Sequence, residues 1–306
     1  MYDIAIVGGG ALGCSSALWL ARGGMKVALI ERGGLCMEAS GRNAGTLPLL
    51  YARGPLLPLM VGGKAMWERA PEWLGADVGH RHTPGLEVAF TPAEAALLET
   101  EMKLRQEWGL PIEIIGGNRA REIEPGLSDK VVMAGYSPVD GFAGSNLIGG
   151  PFRAALTRAG VTLMEGSPVV GIDRRGSGFD LRVGAAGSVT VPAARILLTS
   201  NMWVRPMLGW LGLPDLPIKG RSSQVIVTER MRPVLRSILR VISQISLKQT
   251  NNGTFLIGSG TGHPWQDDPD SFPVELKPEH CWEKLSIAAH AVPALRETRV
   301  MRTWHG

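Results

Sequence analysis

The chain has 306 residues, of which 44% are hydrophobic and 20% charged, a composition that predicts a sizeable core and excludes an intrinsically disordered protein. Its net charge of +4 is spread without a basic block, which argues against nucleic-acid binding. Cys14, Cys36 and Cys281 have neither disulfide nor metal-site spacing, so we expect a reducing, cytoplasmic compartment. We also expect no signal peptide and no transmembrane segment.

A glycine-rich turn near the start of the chain lies between a predicted strand and a predicted helix. The apolar run 2–7 predicts a buried strand, and residues 14–23 predict the helix. Between them, Gly8, Gly10 and Gly13 have the spacing G-x-G-x-x-G. Glycines at these places permit a tight turn, close approach of a pyrophosphate, and close packing of the helix on the strand. The phosphates would lie at the helix N-terminus, where free N–H groups favour negative charge.

A second predicted strand, 26–30, is followed by an acidic residue. Glu31 occupies the position from which a carboxylate accepts hydrogen bonds from an adenosine ribose. Its charge would repel a 2′-phosphate, which disfavours NADP. The strand, turn, helix, strand and acid together predict a dinucleotide-binding domain, and they fit FAD and NAD equally.

Beyond Glu31, predicted helices and strands alternate, and several strands then follow one another. Residues 32–45 are turn-rich, and Thr91 is the expected N-cap of a helix that has Pro92 at its first position and Glu94 at its third. The predicted helices are 64–74, 92–108, 118–124, 147–159 and 280–291. The predicted strands are 86–90, 131–136, 161–165, 169–173, 179–183, 188–192, 195–199, 222–228, 241–247, 254–257 and 298–303.

This order predicts an α/β fold with two interleaved domains, because the strand–helix pattern resumes near residue 145 after a long insertion. We expect a discontinuous Rossmann-like dinucleotide-binding domain formed by residues 1–80, 141–217 and 292–306. The inserted α+β domain, based on an antiparallel sheet, would comprise residues 81–140 and 218–291. We expect this second domain to bind the substrate.

Four stretches of the sequence carry a family resemblance that covers nearly the whole chain. They are the glycine loop with Glu31-Arg32, the segment Ser40-Gly41-Arg42-Asn43-Ala44-Gly45, residues 136–141 with 166–169, and residues 220–229 with 255–258. Together they resemble the FAD-dependent D-amino-acid oxidase type family, which includes glycine oxidase, sarcosine oxidase, D-amino-acid dehydrogenase and the opine or hydroxyproline dehydrogenase subunits. The second stretch is the most specific, because NAD-binding Rossmann proteins have no reason to keep it.

The resemblance implies that the cofactor is FAD. The glycine loop would lie on the pyrophosphate, Glu31 would bind the adenosine ribose, the segment 40–45 would reach the isoalloxazine, and Val169 would hold the adenine through its backbone. The implied cofactor-binding residues are Gly8, Gly10, Ala11, Leu12, Gly13, Glu31, Arg32, Ser40, Gly41, Arg42, Asn43, Ala44, Gly45, Val169, Ser200 and Asn201.

The sequence departs from the family pattern in two places. Asn201 stands where the family has a glycine beside the flavin, and asparagine is a residue type that tolerates positive φ. The family also continues beyond the Trp304-His305-Gly306 motif into an arginine that clamps the substrate carboxylate and a glycine-rich tail. These segments are missing here, so we expect an incomplete site unless a partner supplies the missing groups.

The implied reaction is oxidation of a C–N bond of an amino acid or secondary amine to the imine, with hydride transfer to the flavin. No catalytic residue is assigned, because the chemistry needs no triad. The six histidines have no metal-ligand spacing, so no metal is predicted. In the inserted sheet, Gln244, Ser246 and Lys248 alternate with apolar residues and are candidate substrate contacts on one strand face.

Two alternatives remain open at this point. The chain could be a C-terminally truncated or partner-dependent flavin-binding subunit that is inactive alone. It could also be an NAD-dependent Rossmann dehydrogenase, which the segment 40–45 and the long insertion disfavour. The expected partners are a small-molecule amine or amino acid and either a second copy of the chain or a partner subunit.

Overall fold

Two large sheets organise the chain, one of them parallel and the other mostly antiparallel. The computed structural model describes residues 1–218, 220–242, 244–259, 263–264 and 278–306. The strands are β1 (Ile4–Val7), β2 (Val27–Ile30), β3 (Arg81–His82), β4 (Gly85–Ala89), β5 (Glu113–Gly116), β6 (Met133–Ser137), β7 (Gly141–Phe142), β8 (Thr162–Met164), β9 (Val169–Arg175), β10 (Gly178–Val183), β11 (Val189–Ala193), β12 (Ile196–Leu198), β13 (Arg221–Ser222), β14 (Gln224–Arg230), β15 (Ile238–Val241), β16 (Ile245–Gln249), β17 (Thr254–Ser259), β18 (His263–Pro264) and β19 (Val300–His305).

Helices flank both sheets. They are α1 (Ala11–Arg22), α2 (Ala39–Arg42), α3 (Leu57–Glu68), α4 (Ala70–Trp73), α5 (Pro92–Glu107), α6 (Gly117–Ile123), α7 (Gly149–Arg158), α8 (Val204–Trp210) and α9 (Pro278–Ala291). Short 3₁₀ turns lie at Gly54–Leu56, Ser145–Leu147, Asn201–Trp203 and Pro293–Glu297. Within the residues described, no helix has both the length and the apolar character needed to cross a bilayer.

The parallel sheet has the strand order β12-β1-β2-β8, with Ile6 paired to Leu29 and Leu197. Every residue of β1 and β2 is buried, as is typical of parallel strands covered on both faces. Residues of α1 and α7, including Leu18 and Phe152, pack on one face. The antiparallel strands β9, β10 and β11 cover the other face, which confirms the Rossmann-like unit expected from the sequence.

The second sheet has the order β19-β14-β17-β16-β15-β4-β6-β5. Helix α9 packs on one face over an apolar core that includes Phe255 and Leu247. We call the opposite face the inner face, and by strand alternation it carries Glu87, Arg240, Ser246 and Lys248. The sheet is not purely antiparallel as expected, because β15 and β4 form a parallel pair.

Three sequence expectations need correction. The strand expected over 241–247 is interrupted, because β15 ends at Val241 and the Gln244 N–H bonds the Val241 carbonyl in a turn before β16; Ser243 lies outside the described residues. The helix expected over 64–74 begins at Leu57, with Pro58 in its first turn, where proline costs nothing. The turn-rich stretch contains the short helix α2.

The last strand of the chain belongs to the second sheet. We expected residues 292–306 in the dinucleotide-binding domain, but Val300–His305 pairs with β14 at the edge of the eight-stranded sheet, with Ile226 opposite Thr303. Antiparallel pairing satisfies the backbone groups of both strands. The chain therefore ends beside β14, next to the segment 40–45.

Candidate functional site

A cavity of about 440 Å³ lies at the carboxyl ends of the parallel strands, where ligands bind in open α/β sheets. Its walls come from the glycine loop, the turn after β2, the segment 34–40, the start of β9 and the segment after β12. The expected cofactor residues that line it are Gly8, Gly10, Glu31, Arg32, Ser40, Val169, Ser200 and Asn201. The structure thus brings together residues from five separate segments of the sequence.

The glycine loop can be built only without side chains. Gly8 has φ +110°, and a Cβ there would lie 2.8 Å from the Thr199 carbonyl carbon. A Cβ at Gly13 would lie 1.9 Å from the Gly8 carbonyl oxygen, which confirms the expected close packing of helix on strand. At Gly10 a Cβ would come within 3.0 Å of Ser40 Oγ. The backbone is therefore exposed to the cavity at the turn.

Helix α1 directs its N-terminus to the same cavity. Its N-cap, Gly10, offers no side-chain hydrogen bond. The Ala11 N–H bonds Ser40 Oγ at 2.9 Å, and the Cys14 N–H bonds the Gly10 carbonyl at 2.9 Å. The intervening first-turn N–H groups have no intrahelical acceptor and suit a phosphate oxygen.

Glu31 is fixed at the cavity wall by two backbone amides. Its Oε2 accepts from the Gly9 N–H at 2.6 Å, and its Oε1 accepts from the Gly33 N–H at 2.8 Å. A carboxylate oxygen has two acceptor positions, so each keeps one for a hydroxyl donor. This geometry positions the acid for a ribose and also ties β2 to the glycine loop.

An aromatic wall that the sequence reasoning missed closes the other side. The Arg32 guanidinium lies 3.9 Å from the centre of the Trp203 ring and 3.5 Å from Glu38. Trp203 and Trp210 both line the cavity. The sequence offered one signal for the two tryptophans. They follow β12, which pairs with β1, and ligands bind at the carboxyl ends of such strands. Asn201 has φ +53°, which confirms the expected left-handed backbone at that position.

The segment 40–45 acts differently from the expectation for its polar residues. Arg42 Nε donates to the Met37 carbonyl at 2.7 Å, and Asn43 Nδ2 donates to the Ala39 and Ser40 carbonyls at 2.9 Å. These side chains brace the segment instead of lining the cavity. The other expected residues that do not line it are Ala11, Leu12, Gly13, Gly41, Ala44 and Gly45.

Gly45 joins this segment to β7 by close backbone contact. It has φ +70°, and a Cβ there would lie 2.0 Å from the Ala143 carbonyl oxygen. The Ala143 N–H bonds the Gly45 carbonyl at 2.8 Å, and Thr46 bridges to Phe142. From β19, Trp304 Nε1 donates to the Arg42 carbonyl at 2.7 Å. The segment 40–45 is therefore held by β7 and the residues after it on one side and by β19 on the other, mainly through its backbone groups.

Asp140 anchors the continuation of this segment. Its Oδ1 accepts from the Leu49 N–H at 2.9 Å, the Leu50 N–H at 3.3 Å and Ser137 Oγ at 2.7 Å. Burial raises the pKa of Asp140 to about 6, although these hydrogen bonds oppose the shift. The carboxyl group thus holds residues 46–51 along the inner face of the second sheet.

The three expected substrate residues separate in the structure. Lys248 is 4% exposed, its Nζ lies 4.0 Å from the centre of the Phe142 ring, and it makes no hydrogen bond or ion pair with a described residue. Burial lowers its pKa to about 8. Ser246 lies on the same face and lines a second cavity. Gln244 is instead directed to Glu94 at the start of α5, at 3.4 Å.

These residues fit the FAD that the family resemblance implies. The side-chain-free turn and the α1 N-terminus suit its pyrophosphate, and the fixed Glu31 carboxylate suits its ribose. Val169 and Trp203 line the same cavity and would offer the adenine an apolar wall. Among the described residues, no cluster of histidine, cysteine and acidic side chains could hold a metal ion.

Comparisons with known proteins point to one family. The family model described as "DAO: FAD dependent oxidoreductase" matches residues 3–306. The chain is 26% identical to glycine oxidase of Geobacillus kaustophilus (strain HTA426), over 100% of this chain and 80% of that protein. It is 27% identical to an opine oxidase subunit of Agrobacterium tumefaciens (strain Ach5), over 99% and 81%. The crystal structure of the Geobacillus kaustophilus glycine oxidase superposes with a TM-score of 0.89, covering 100% of this chain and 82% of that one.

Proposed function

The chain belongs to the DAO family of FAD-dependent oxidoreductases, and from that membership we propose that it oxidises the C–N bond of an amino acid or secondary amine to the imine. The family relation makes it an enzyme with FAD as cofactor. The observation that carries the finer proposal is Lys248, a buried ammonium group without a carboxylate partner among the described residues, beside Phe142. Amino acids bring the carboxylate that this group lacks.

Bound FAD supplies the hydride acceptor for this reaction. We assign the pyrophosphate to the glycine loop and the α1 N-terminus, and the ribose to Glu31. The segment 43–47 and β7 would present backbone to the isoalloxazine. The role of Gly45 is to let this segment pack against the backbone that follows β7 and so hold that surface in place, because any side chain there would strike the Ala143 carbonyl.

Lys248 is proposed to bind the substrate carboxylate. A buried charge is stable only when it is paired or neutralised, and burial already pulls the pKa of Lys248 to about 8. A substrate carboxylate placed beside Phe142 would accept a charge-assisted hydrogen bond from the Lys248 ammonium group. The ammonium would then orient the neighbouring C–N bond without taking part in the bond cleavage.

The test compares Lys248→Met with the exposed control Lys130→Met, each loaded with FAD. Methionine fills the same space beside Phe142 without a charge, so both variants should take up FAD like the parent. A lost charge-assisted hydrogen bond costs about 1.5–3 kcal/mol. The amino-acid concentration that gives half-maximal anaerobic flavin reduction should therefore rise at least about tenfold in Lys248→Met alone. An unchanged value would contradict the assignment.

A partner-dependent subunit is the second candidate. One of the relatives is itself a subunit of an opine oxidase, and helix α3 has no buried residue. Leu59 on this helix is 74% exposed. Apolar side chains gathered on an exposed helix favour contact with another protein. A chain that takes up FAD, but reduces it only after a second polypeptide is added, would support this candidate.

A further inference from the structure

A second cavity of about 600 Å³ adjoins the inner face of the eight-stranded sheet. It lies between the segment 51–55, helix α5 and the strands β15 and β16. Its polar lining comprises Tyr51, Arg53, Glu101, Arg105, Arg240 and Ser246, and Glu101 forms an ion pair with Arg105 at 3.1 Å. The first cavity, at the carboxyl ends of the parallel strands, shares none of these residues.

Two buried donor atoms of the cavity lining have no hydrogen-bond partner among the described residues. They are the Tyr51 hydroxyl and Arg105 Nε. Buried polar atoms in folded proteins are almost always hydrogen-bonded. Two unpartnered donors in one lining therefore indicate that the cavity receives a hydrogen-bond acceptor.

Arg240 is the centre of the cluster. Its Nε lies 3.3 Å from Glu87 Oε1, and its guanidinium lies 4.5 Å from the centre of the Tyr51 ring. The remaining guanidinium nitrogens donate no hydrogen bond to a described residue. Burial raises the pKa of the Tyr51 phenol, which therefore remains a neutral donor. Arginine and phenol donors side by side match a carboxylate.

Strand register brings this cluster close to Lys248. Arg240 pairs with Ser246 across β15 and β16, and Lys248 lies two residues further along β16 on the same face. Diagonal neighbours of this kind have Cα atoms about 7–8 Å apart. The two cationic side chains therefore project from one face of the sheet at a spacing that matches a small molecule with a carboxylate at each end.

We propose that this cavity is a subsite for a second carboxylate of the substrate, which Arg240 and Tyr51 bind while Lys248 binds the first. This inference rests on the proposed function and narrows its substrate class to amino acids whose nitrogen or side chain carries another acidic group. Glu87 is a positioning residue, because it holds Arg240 Nε and leaves the outer nitrogens for the ligand.

The test is calorimetric titration of the FAD-loaded protein with glutarate and with pentanoate. Both acids have five carbons, and only glutarate has two carboxylates. Neither has a C–N bond, so binding is measured without turnover. We expect glutarate to bind at least about tenfold more tightly. Arg240→Gln and Tyr51→Phe should each reduce that preference at least threefold, while Arg236→Gln, an exposed control outside the cavity, keeps it.

The inference would be overturned if the protein bound glutarate and pentanoate equally or bound neither. It would also be overturned if the preference for glutarate were unchanged in both Arg240→Gln and Tyr51→Phe. Tyr51→Phe removes only a hydroxyl, so it carries the test if Arg240→Gln does not fold. Failure of the proposed function is seen separately, as an absence of flavin reduction by every amine. A preference for glutarate with no amine oxidation would support the subsite and refute the reaction.

Discussion

Lys248 and Glu87 are buried ionisable side chains on the inner face of the second sheet, and burial moves their pKa values in opposite directions. The pKa of Lys248 falls to about 8, and that of Glu87 rises to about 7. Burial disfavours the charged form of each group. The ion pair with Arg240 opposes the shift at Glu87, while no described residue offsets the shift at Lys248.

Glu87 should make folding stability depend on pH. Between its ordinary pKa of 4.5 and its folded value of about 7, the folded chain keeps a proton that the unfolded chain has lost. The contribution of Glu87 to the free energy of unfolding therefore falls as the pH rises through that window and stays constant above it. The total loss is up to about 3 kcal/mol. Glu87→Gln should flatten the pH profile of the melting temperature between pH 5 and 8.

The control for that measurement is Glu107→Gln, an exposed acid on α5. Its pH profile should follow the parent. Arg240, Arg105 and Glu101 also act on the Glu87 carboxyl group, and they are unchanged in both variants. A Glu87→Gln profile as steep as that of the parent would show that this carboxyl group is already ionised at acidic pH.

Sequence reasoning works for single residues whose role follows from local geometry. Gly8 and Glu31 follow from a turn and a strand end, and the structure places both at the cavity beside the ends of the parallel strands. For Arg42 the sequence could not show that its guanidinium also bonds the Met37 carbonyl and pairs with Glu38 once α2 forms. Sequence reasoning also missed Trp203, since its partner Arg32 is 171 positions earlier in the sequence.

At the scale of elements, the best predictions had local chemical signals. The Thr91 hydroxyl accepts from the Glu94 N–H at 3.2 Å, and the Glu94 carboxylate accepts from the Thr91 N–H at 3.1 Å, which confirms the helix start. The hairpin of β10 and β11 also agrees with the sequence. The turn after Val241 was missed because the stretch 241–247 contains no glycine, proline, asparagine or aspartate to mark a turn.

The loop that joins the two sheets should depend strongly on Gly45. In Gly45→Ala the new methyl group would lie 2.0 Å from the Ala143 oxygen, on a residue with φ +70°. Strain of this kind costs at least about 1–3 kcal/mol. We expect a lower melting temperature and at least tenfold weaker FAD binding, measured by fluorescence titration.

The matched control is Gly63→Ala in helix α3. Nothing lies within 4 Å of the position a Cβ would take there. Alanine in a helix is more favourable than glycine by about 0.5–1 kcal/mol. Gly63→Ala should therefore bind FAD normally and be slightly more stable. Equal FAD affinities in the two variants would refute the role of Gly45 at the cofactor.

At the scale of the whole molecule, long-range pairing limits what a sequence can reveal. The α/β class and the parallel sheet follow from local patterns. The parallel pair of β15 and β4 joins residues about 150 positions apart, with Leu239 opposite Leu86, and no local signal specifies it. The pairing of β19 with β14 was not predicted for the same reason, because no local sequence signal specifies it.

The two sheets meet along the segment 43–51, and both proposed substrate groups lie there. Gly45 ties the segment to β7, and Asp140 holds its continuation at Leu49 and Leu50. Lys248 and Arg240 approach it from the second sheet, through Phe142 and Tyr51. The candidate substrate site is therefore a product of tertiary structure, although its individual residue types are ordinary in their own strands.

The most direct measurement is the visible absorbance of the FAD-loaded 306-residue chain, followed anaerobically during addition of amino acids and secondary amines. Oxidation of a C–N bond passes two electrons to the flavin, so its absorbance should bleach with a substrate. Bleaching should be most efficient with substrates that carry two carboxylates. A chain that holds FAD in full occupancy, but is not bleached by any amine, alone or with an added second polypeptide, would contradict the proposed reaction.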